Sequence, residues 1–205
     1  MIRIEQLNFQ STQVHLAYFD ELEEDKLLKS LTLEEFKRYQ QFTSTHRKKE
    51  FLVTRWLLQQ TNSGSTISYS DVGAPIIDYG NISISHTRGV VGIAQNMNFI
   101  VGLDLEYPSD RIIKIAHKFI SQDEADTFEH TDRITLTKFW CAKETLYKLA
   151  GIPGLDFKNQ LKVNLVNSET LIGQILHQDK IYTTQLTCTM LDEMILVTNT
   201  KALDS

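Results

Sequence analysis

The run Phe99-Ile100-Val101-Gly102-Leu103-Asp104-Leu105-Glu106 decides how the chain is divided. Val101, Leu103 and Leu105 recur at every second position, the mark of an extended strand with one apolar face. Gly102, Asp104 and Glu106 share the other face. Two carboxylates at i and i+2 stand about 7 Å apart along a strand, and close carboxylates repel unless a proton or a cation neutralises them. Mg²⁺ suits such a pair, because it prefers oxygen ligands and usually takes one or two carboxylates with waters and phosphates. A solvated acidic sheet edge is the bland reading of the same residues.

Upstream, Ile2 and Ile4, then Val14, Leu16 and Tyr18, alternate with polar residues and read as strands. From Asp20 the pattern turns helical, with Thr32-Leu33-Glu34-Glu35 opening one of two short helices. A stronger helix spans Arg47-Lys48-Lys49 to Leu57-Leu58 and should stop near Asn62-Ser63-Gly64. Strands follow at residues 67–69, 81–86 and 90–94, separated by the turns Asp71-Val72-Gly73-Ala74-Pro75 and Thr87-Arg88-Gly89. Downstream, Ser109 can cap a helix, Ser121-Gln122-Asp123-Glu124 is a capping box, and Asp132 can cap a long helix that Gly151 ends. About three strands are expected in the tail, at residues 161–166, 181–188 and 194–198. Strand and helix thus occur before and after Asn98. The expectation is an α+β fold of two packed subdomains, residues 1–98 and 99–205.

The chain has 205 residues, 41% hydrophobic and 23% charged, the balance of a globular protein. Its formal charge of −5 argues against a dedicated nucleic-acid binder. No apolar run approaches the roughly 20 residues of a membrane helix, and Met1-Ile2-Arg3-Ile4-Glu5 does not open a secretory signal. Cys141 and Cys188 are too few for a disulfide framework or a four-thiolate zinc site. A cytoplasmic protein is expected.

Three further stretches carry candidate chemistry. On the helix from Arg133 to Ala150, Phe139, Ala142, Leu146 and Leu149 form a core stripe. Glu144 and Lys148 lie roughly opposite, spaced for a surface ion pair. Trp140 shares their side and Lys143 lies toward it, so that side also suits a loop, a cleft or a phosphate–metal site. In Asn81-Ile82-Ser83-Ile84-Ser85-His86 the isoleucines face a core and the serines face away. His86, at the strand end, is placed to donate to a phosphate or to be merely exposed. Of the cations Arg47, Lys48, Lys49 and Arg55, most are solvated and one or two could reach a polyphosphate.

Together these blocks resemble the 4′-phosphopantetheinyl transferases. Val101-Gly102-Leu103-Asp104-Leu105-Glu106 is similar to that family's G-[IV]-D-[IVL]-E strand. Phe139-Trp140-Cys141-Ala142-Lys143-Glu144-Thr145-Leu146-Tyr147-Lys148 is similar to its W-x-x-K-E-x-x-x-K helix, and Ser83-Ile84-Ser85-His86 to its S-x-S-H block. Length and organisation resemble the Sfp-type branch, a monomeric pseudo-dimer of two α+β subdomains. In each, a mainly antiparallel sheet packs against a long helix.

The resemblance implies transfer of 4′-phosphopantetheine from coenzyme A to a serine of an apo acyl or peptidyl carrier protein, with Mg²⁺, releasing 3′,5′-ADP. It implies Mg²⁺ held by Asp104, Glu106 and Glu144. It implies coenzyme A contacts from Arg47, Ser85, His86, Lys143 and Lys148. Asp104, Glu144 and Lys148 would be catalytic, with Glu144 helping, directly or through water, to take the serine proton. Gly73-Ala74-Pro75 departs from the Gly-Lys-Pro common in the family, so a phosphate or adenosine-side contact is missing unless another cation replaces it. A non-catalytic relative that binds a carrier protein or nucleotide is the alternative from a different class. A metal-dependent phosphohydrolase is the third reading.

Overall fold

The alternating segments condense into antiparallel sheets and the striped segments into helices laid against them, an α+β fold. The computed structural model describes residues 1–128 and 132–204. In chain order the first elements are β1 (Ile2–Phe9), β2 (Thr12–Phe19), α1 (Glu24–Leu28), α2 (Leu33–Gln41) and α3 (Thr45–Thr61). Then come β3 (Ser68–Tyr69), β4 (Pro75–Ile76), β5 (Asn81–Thr87), β6 (Val90–Asn96) and β7 (Leu103–Glu106). The remainder is α4 (Asp110–Ile115), a 3₁₀ turn at Ala116–Lys118, α5 (Gln122–Ala125), α6 (Arg133–Ala150), β8 (Leu161–Leu165), β9 (Thr170–His177), β10 (Lys180–Leu191) and β11 (Met194–Asn199). Among the described residues, no helix is long and apolar enough to cross a membrane.

One sheet runs β1-β2-β6-β5 and the other β7-β11-β10-β9-β8, with a small β3–β4 pair between β5 and α3 in sequence. The helix ends obey local chemistry. Thr32 and Glu35 close a reciprocal capping box on α2. The Asp132 carboxylate accepts from Ile134 N at the start of α6, and Gly151, at φ 60°, ends it in the left-handed region. The tail differs from expectation: it holds four strands, because residues 170–177 also pair. The ladder of the decisive strand starts only at Leu103.

Three apolar clusters hold these layers. Val53, Leu57 and Leu58 of α3 pack on Ala17, Val91 and Ile93 of the first sheet. Phe139, Leu146 and Leu149 of α6 pack on Leu171, Ile175, Leu186 and Val197 of the second. Val14, Leu16 and Val90 of the first sheet meet Leu103, Leu105 and Leu196 of the second.

The edge strands β5 and β7 are laced by side chains. Leu103 N donates to Ser83 Oγ at 3.0 Å and Leu105 N to Ser85 Oγ at 3.1 Å. Both strands repeat every two residues, so hydroxyls two apart match amides two apart. This leaves those buried amides satisfied where two sheets meet without a shared ladder.

Candidate functional site

Gly102 brings the two decisive segments together. A Cβ there would sit 2.7 Å from Thr145 O and 2.9 Å from Thr145 Cγ2. The space that the glycine leaves beside the strand carboxylates is filled by the backbone of α6 itself. That approach sets Glu144 and Lys148 beside β7. Lys148 Nζ donates to Asp104 Oδ1 at 2.9 Å and to Leu103 O at 2.6 Å. The surface pair expected between Glu144 and Lys148 is therefore replaced by a bond from α6 to β7. Asp104 Oδ1 also accepts from Ser85 Oγ at 3.1 Å, while Asp104 Oδ2 is buried and, among the described residues, accepts no hydrogen bond.

Three carboxylates gather about one ammonium here, and the titration of Glu144 and Glu106 records it. Burial, then the charge of Asp104, pushes Glu144 up to about 7, with Lys148 opposing and Glu106 adding. Burial and then Asp104 also raise Glu106, against Arg111, Lys148 and His86. Beneath them the buried Cys141 thiol is raised well above its usual value, by burial first and by Asp104 and Glu106 next. Among the described residues no three His, Cys, Asp or Glu side chains are already closed around an ion position. The excess of negative charge and the unpartnered Asp104 Oδ2 nonetheless fit a hard divalent cation.

The sign of the Glu144 shift gives a test. Its folded value lies above the ordinary 4.5, so its contribution to stability is full below about pH 4.5 and is lost as pH rises through about 7. In chelator-treated buffer, the melting temperature should fall over this range more steeply for the parent than for Glu144→Gln. Parallel profiles for the two proteins would contradict the clustering.

A cleft of about 560 Å³ lies next to Lys148, walled by α2, α3, β3 to β5, Ile100 and Val101, and the C-terminal end of α6. Arg47, His86 and Lys148, three of the residues that the resemblance implies as coenzyme A contacts, line it. Asp104, Glu106 and Glu144 do not line it and stand behind Lys148. His86 Nδ1 lies 3.1 Å from Glu50 Oε1, which His46 Nε2 approaches at 2.8 Å. Burial raises Glu50, but contact with His86 and the charges of His86, His46 and Arg47 outweigh it and hold the carboxyl below its usual range. Glu50 thus fixes the His86 ring, a role foreshadowed only by the i, i+4 spacing of His46 and Glu50.

Two expected coenzyme A contacts lie elsewhere. Ser85 is buried between β5 and β7, with its hydroxyl committed to Leu105 N and Asp104. It positions Asp104 and does not line the cleft. Lys143 is 0% exposed. Its three protons go to Phe119 O, Glu124 Oε2 at 2.7 Å and Phe157 O at 2.9 Å, leaving none for a phosphate. Trp140 beside it packs edge-on against Phe119 and stacked on Phe157, so the aromatic on this side faces a covering loop.

No curated protein matches the chain by sequence. The strand carrying Asp104 and Glu106, the helix carrying Glu144 and Lys148, and the glycine that lets them touch all fall within residues 100–191. That stretch is matched by the model of the 4′-phosphopantetheinyl transferase superfamily.

Proposed function

We propose that the protein transfers 4′-phosphopantetheine from coenzyme A to a serine hydroxyl of an apo carrier protein and releases 3′,5′-ADP. The observation that carries this reading is a cleft lined by Arg47, His86 and Lys148 that ends, at Lys148, on a cluster of three carboxylates, Asp104 buried and Glu106 and Glu144 half-buried. Asp104, Glu106 and Glu144 would hold Mg²⁺, which when bound neutralises pyrophosphate charge and orients it for displacement.

The chain's own groups perform the rest. Arg47 and His86 bind the anionic cofactor along the cleft. Lys148, fixed by Leu103 O and Asp104, presents its ammonium where charge gathers on the leaving phosphate. The serine Oγ forms a bond to the phosphorus that carries pantetheine. The bond from that phosphorus to the bridging oxygen breaks, and 3′,5′-ADP departs with the electron pair. Glu144 accepts the serine proton; a carboxyl that titrates near neutrality without a cation has the basicity for that step. Its basicity falls when a cation sits beside it, so the proton transfer belongs with bond formation to phosphorus and not before it.

In each half one antiparallel sheet lies against one long helix, which supports a reading as two subdomains, residues 1–98 and 99–205. The proposed enzyme is a cytoplasmic monomer. Incubation with coenzyme A, Mg²⁺ and a panel of apo acyl and peptidyl carrier proteins should add one phosphopantetheine to at least one of them by intact-mass spectrometry. Carrier binding without any mass gain would favour a non-catalytic relative. Release of free phosphopantetheine without carrier would favour a phosphohydrolase.

A further inference from the structure

The ladder between β7 and β11 runs from Glu106 opposite Ile195 to Leu103 opposite Thr198. One more step of that register would set Gly102 opposite Asn199. There the partners of Gly102 are side chains instead. Asn199 Oδ1 accepts from Gly102 N at 2.8 Å, and Thr198 Oγ1 donates to Gly102 O at 2.7 Å. Asn199 Nδ2 donates to Ile100 O at 3.0 Å and to Lys201 O at 2.9 Å. Asn199 O accepts from Thr12 Oγ1 at 3.1 Å, and Thr12 Oγ1 in turn accepts from Asn96 Nδ2 at 3.0 Å. Thr12, Asn96, Thr198 and Asn199 are all buried. A buried amide with its oxygen and both protons engaged is held in one orientation, so it fixes what it holds.

We infer that Asn199 is a positioning residue for phosphopantetheine transfer: by fixing Gly102 it sets how closely α6 approaches β7, and so where Lys148 and Glu144 stand against Asp104. This rests on the transferase reading above. Glycine has more backbone freedom than any other residue and no side chain to anchor it. Yet Gly102 is where the strand packs directly on the backbone of Thr145. The next two residues supply the acceptors for Lys148, namely Leu103 O and Asp104 Oδ1. On α6, Glu144 precedes Thr145 by one residue and Lys148 follows it by three, about one helical turn. Thr145 Oγ1 also donates to Val197 O at 3.2 Å, two residues before Asn199. A shift at Gly102 is therefore passed to the ammonium and the carboxylates with little slack. Asn96 belongs to the same buried network but holds the turn before the strand, accepting from Asn98 N at 2.8 Å and Phe99 N at 3.2 Å. It is the natural control.

Asn199→Ala and Asn96→Ala separate positioning from stability alone. Both remove an amide from the network, leave buried groups unpaired and should lower the melting temperature. Only Asn199→Ala should weaken the nuclear Overhauser contact between the Gly102 α-protons and the Thr145 methyl group, read in the metal-free protein without ligands. It should also lower kcat about ten- to a hundredfold, the effect of a small misplacement, with KM for coenzyme A within about threefold because Arg47 and His86 stand on α3 and β5. Asn96→Ala should keep kcat within about threefold. Where Asn199→Ala does not accumulate as folded protein, the nearly isosteric Thr198→Val takes its place. It removes the bond to Gly102 O alone, and should weaken the same contact and lower kcat about three- to tenfold. A parental Overhauser contact in the folded variant, or an equal loss of kcat in it and in Asn96→Ala, overturns the assignment while the transferase reading stands. A parent that transfers nothing to any carrier overturns the transferase reading, and the Overhauser contact still decides whether Asn199 sets the approach of α6.

Discussion

Asp104→Asn should lower phosphopantetheine transfer by about a hundred- to thousandfold, the usual effect of removing one preorganised charge from a site that handles developing charge. The change is nearly isosteric. A side-chain oxygen can still accept from Ser85 Oγ, so the lacing of β5 to β7 survives. What goes is the negative charge that fixes Lys148 at 2.9 Å and gives the cluster its pull on a cation. With the charge at position 104 gone, Glu144 loses the largest electrostatic cause of its raised titration, leaving burial as the main one. Two readouts should therefore move together. Transfer falls, and the Glu144 carboxyl titrates lower in the metal-free protein, measured by carbon-detected NMR of labelled glutamate. A variant that is folded and turns over within tenfold of the parent would show that Asp104 is a structural anchor for Lys148 and nothing more.

The sequence made this cluster legible for a simple reason. Each half of it is local: a period-two strand sets Asp104 and Glu106 on one face, and a helical stripe sets Glu144 and Lys148 on one side. The pairing of the two halves was legible only through family resemblance, since nothing in either segment says that Gly102 meets Thr145. Where expectation failed, the partner was distant in sequence. Period-two alternation turns Ser85 away from the isoleucines of its strand, but its hydrogen-bond partners come from an edge strand twenty residues on. Strand β9 carries no turn signal in the sequence, because its hairpin turns through Gln178 and Asp179, both at positive φ (51° and 60°), with no glycine to announce it. Of the cations that line the cleft, Arg47 belongs to an obvious basic run, whereas the setting of Arg38 depends on Tyr69, distant in sequence, coming to lie beneath it.

Lys143 is the case in which two readings of one residue predict opposite experiments. Helical-face arithmetic sorts residues into a buried stripe and a solvated side, and Lys143 falls beyond the stripe. Yet α6 is covered on that side too, by Phe119 and Phe157 packed on its Trp140, so the ammonium is enclosed. Burial lowers its pKa and the Glu124 carboxylate opposes that shift. Lys143→Met should cost about 3–5 kcal/mol of stability by denaturant unfolding, because one partner of a buried pair is left behind. The cost should fall toward the lower end. Glu124 keeps Ser121 N at 2.8 Å and Val163 N at 2.9 Å, so its charge is not stripped of donors. Neutralising both partners, in Lys143→Met with Glu124→Gln, should recover part of the loss, since no unpaired charge remains. Apparent affinity for coenzyme A, measured well below the melting temperature, should stay within about threefold, as no proton of this ammonium reaches the cleft. A phosphate ligand would behave in reverse, with stability nearly intact and affinity down tenfold or more. If Lys143→Met does not accumulate as folded protein, Glu124→Gln alone separates the readings. It weakens the same buried pair from the other side, and should destabilise the fold without weakening coenzyme A binding.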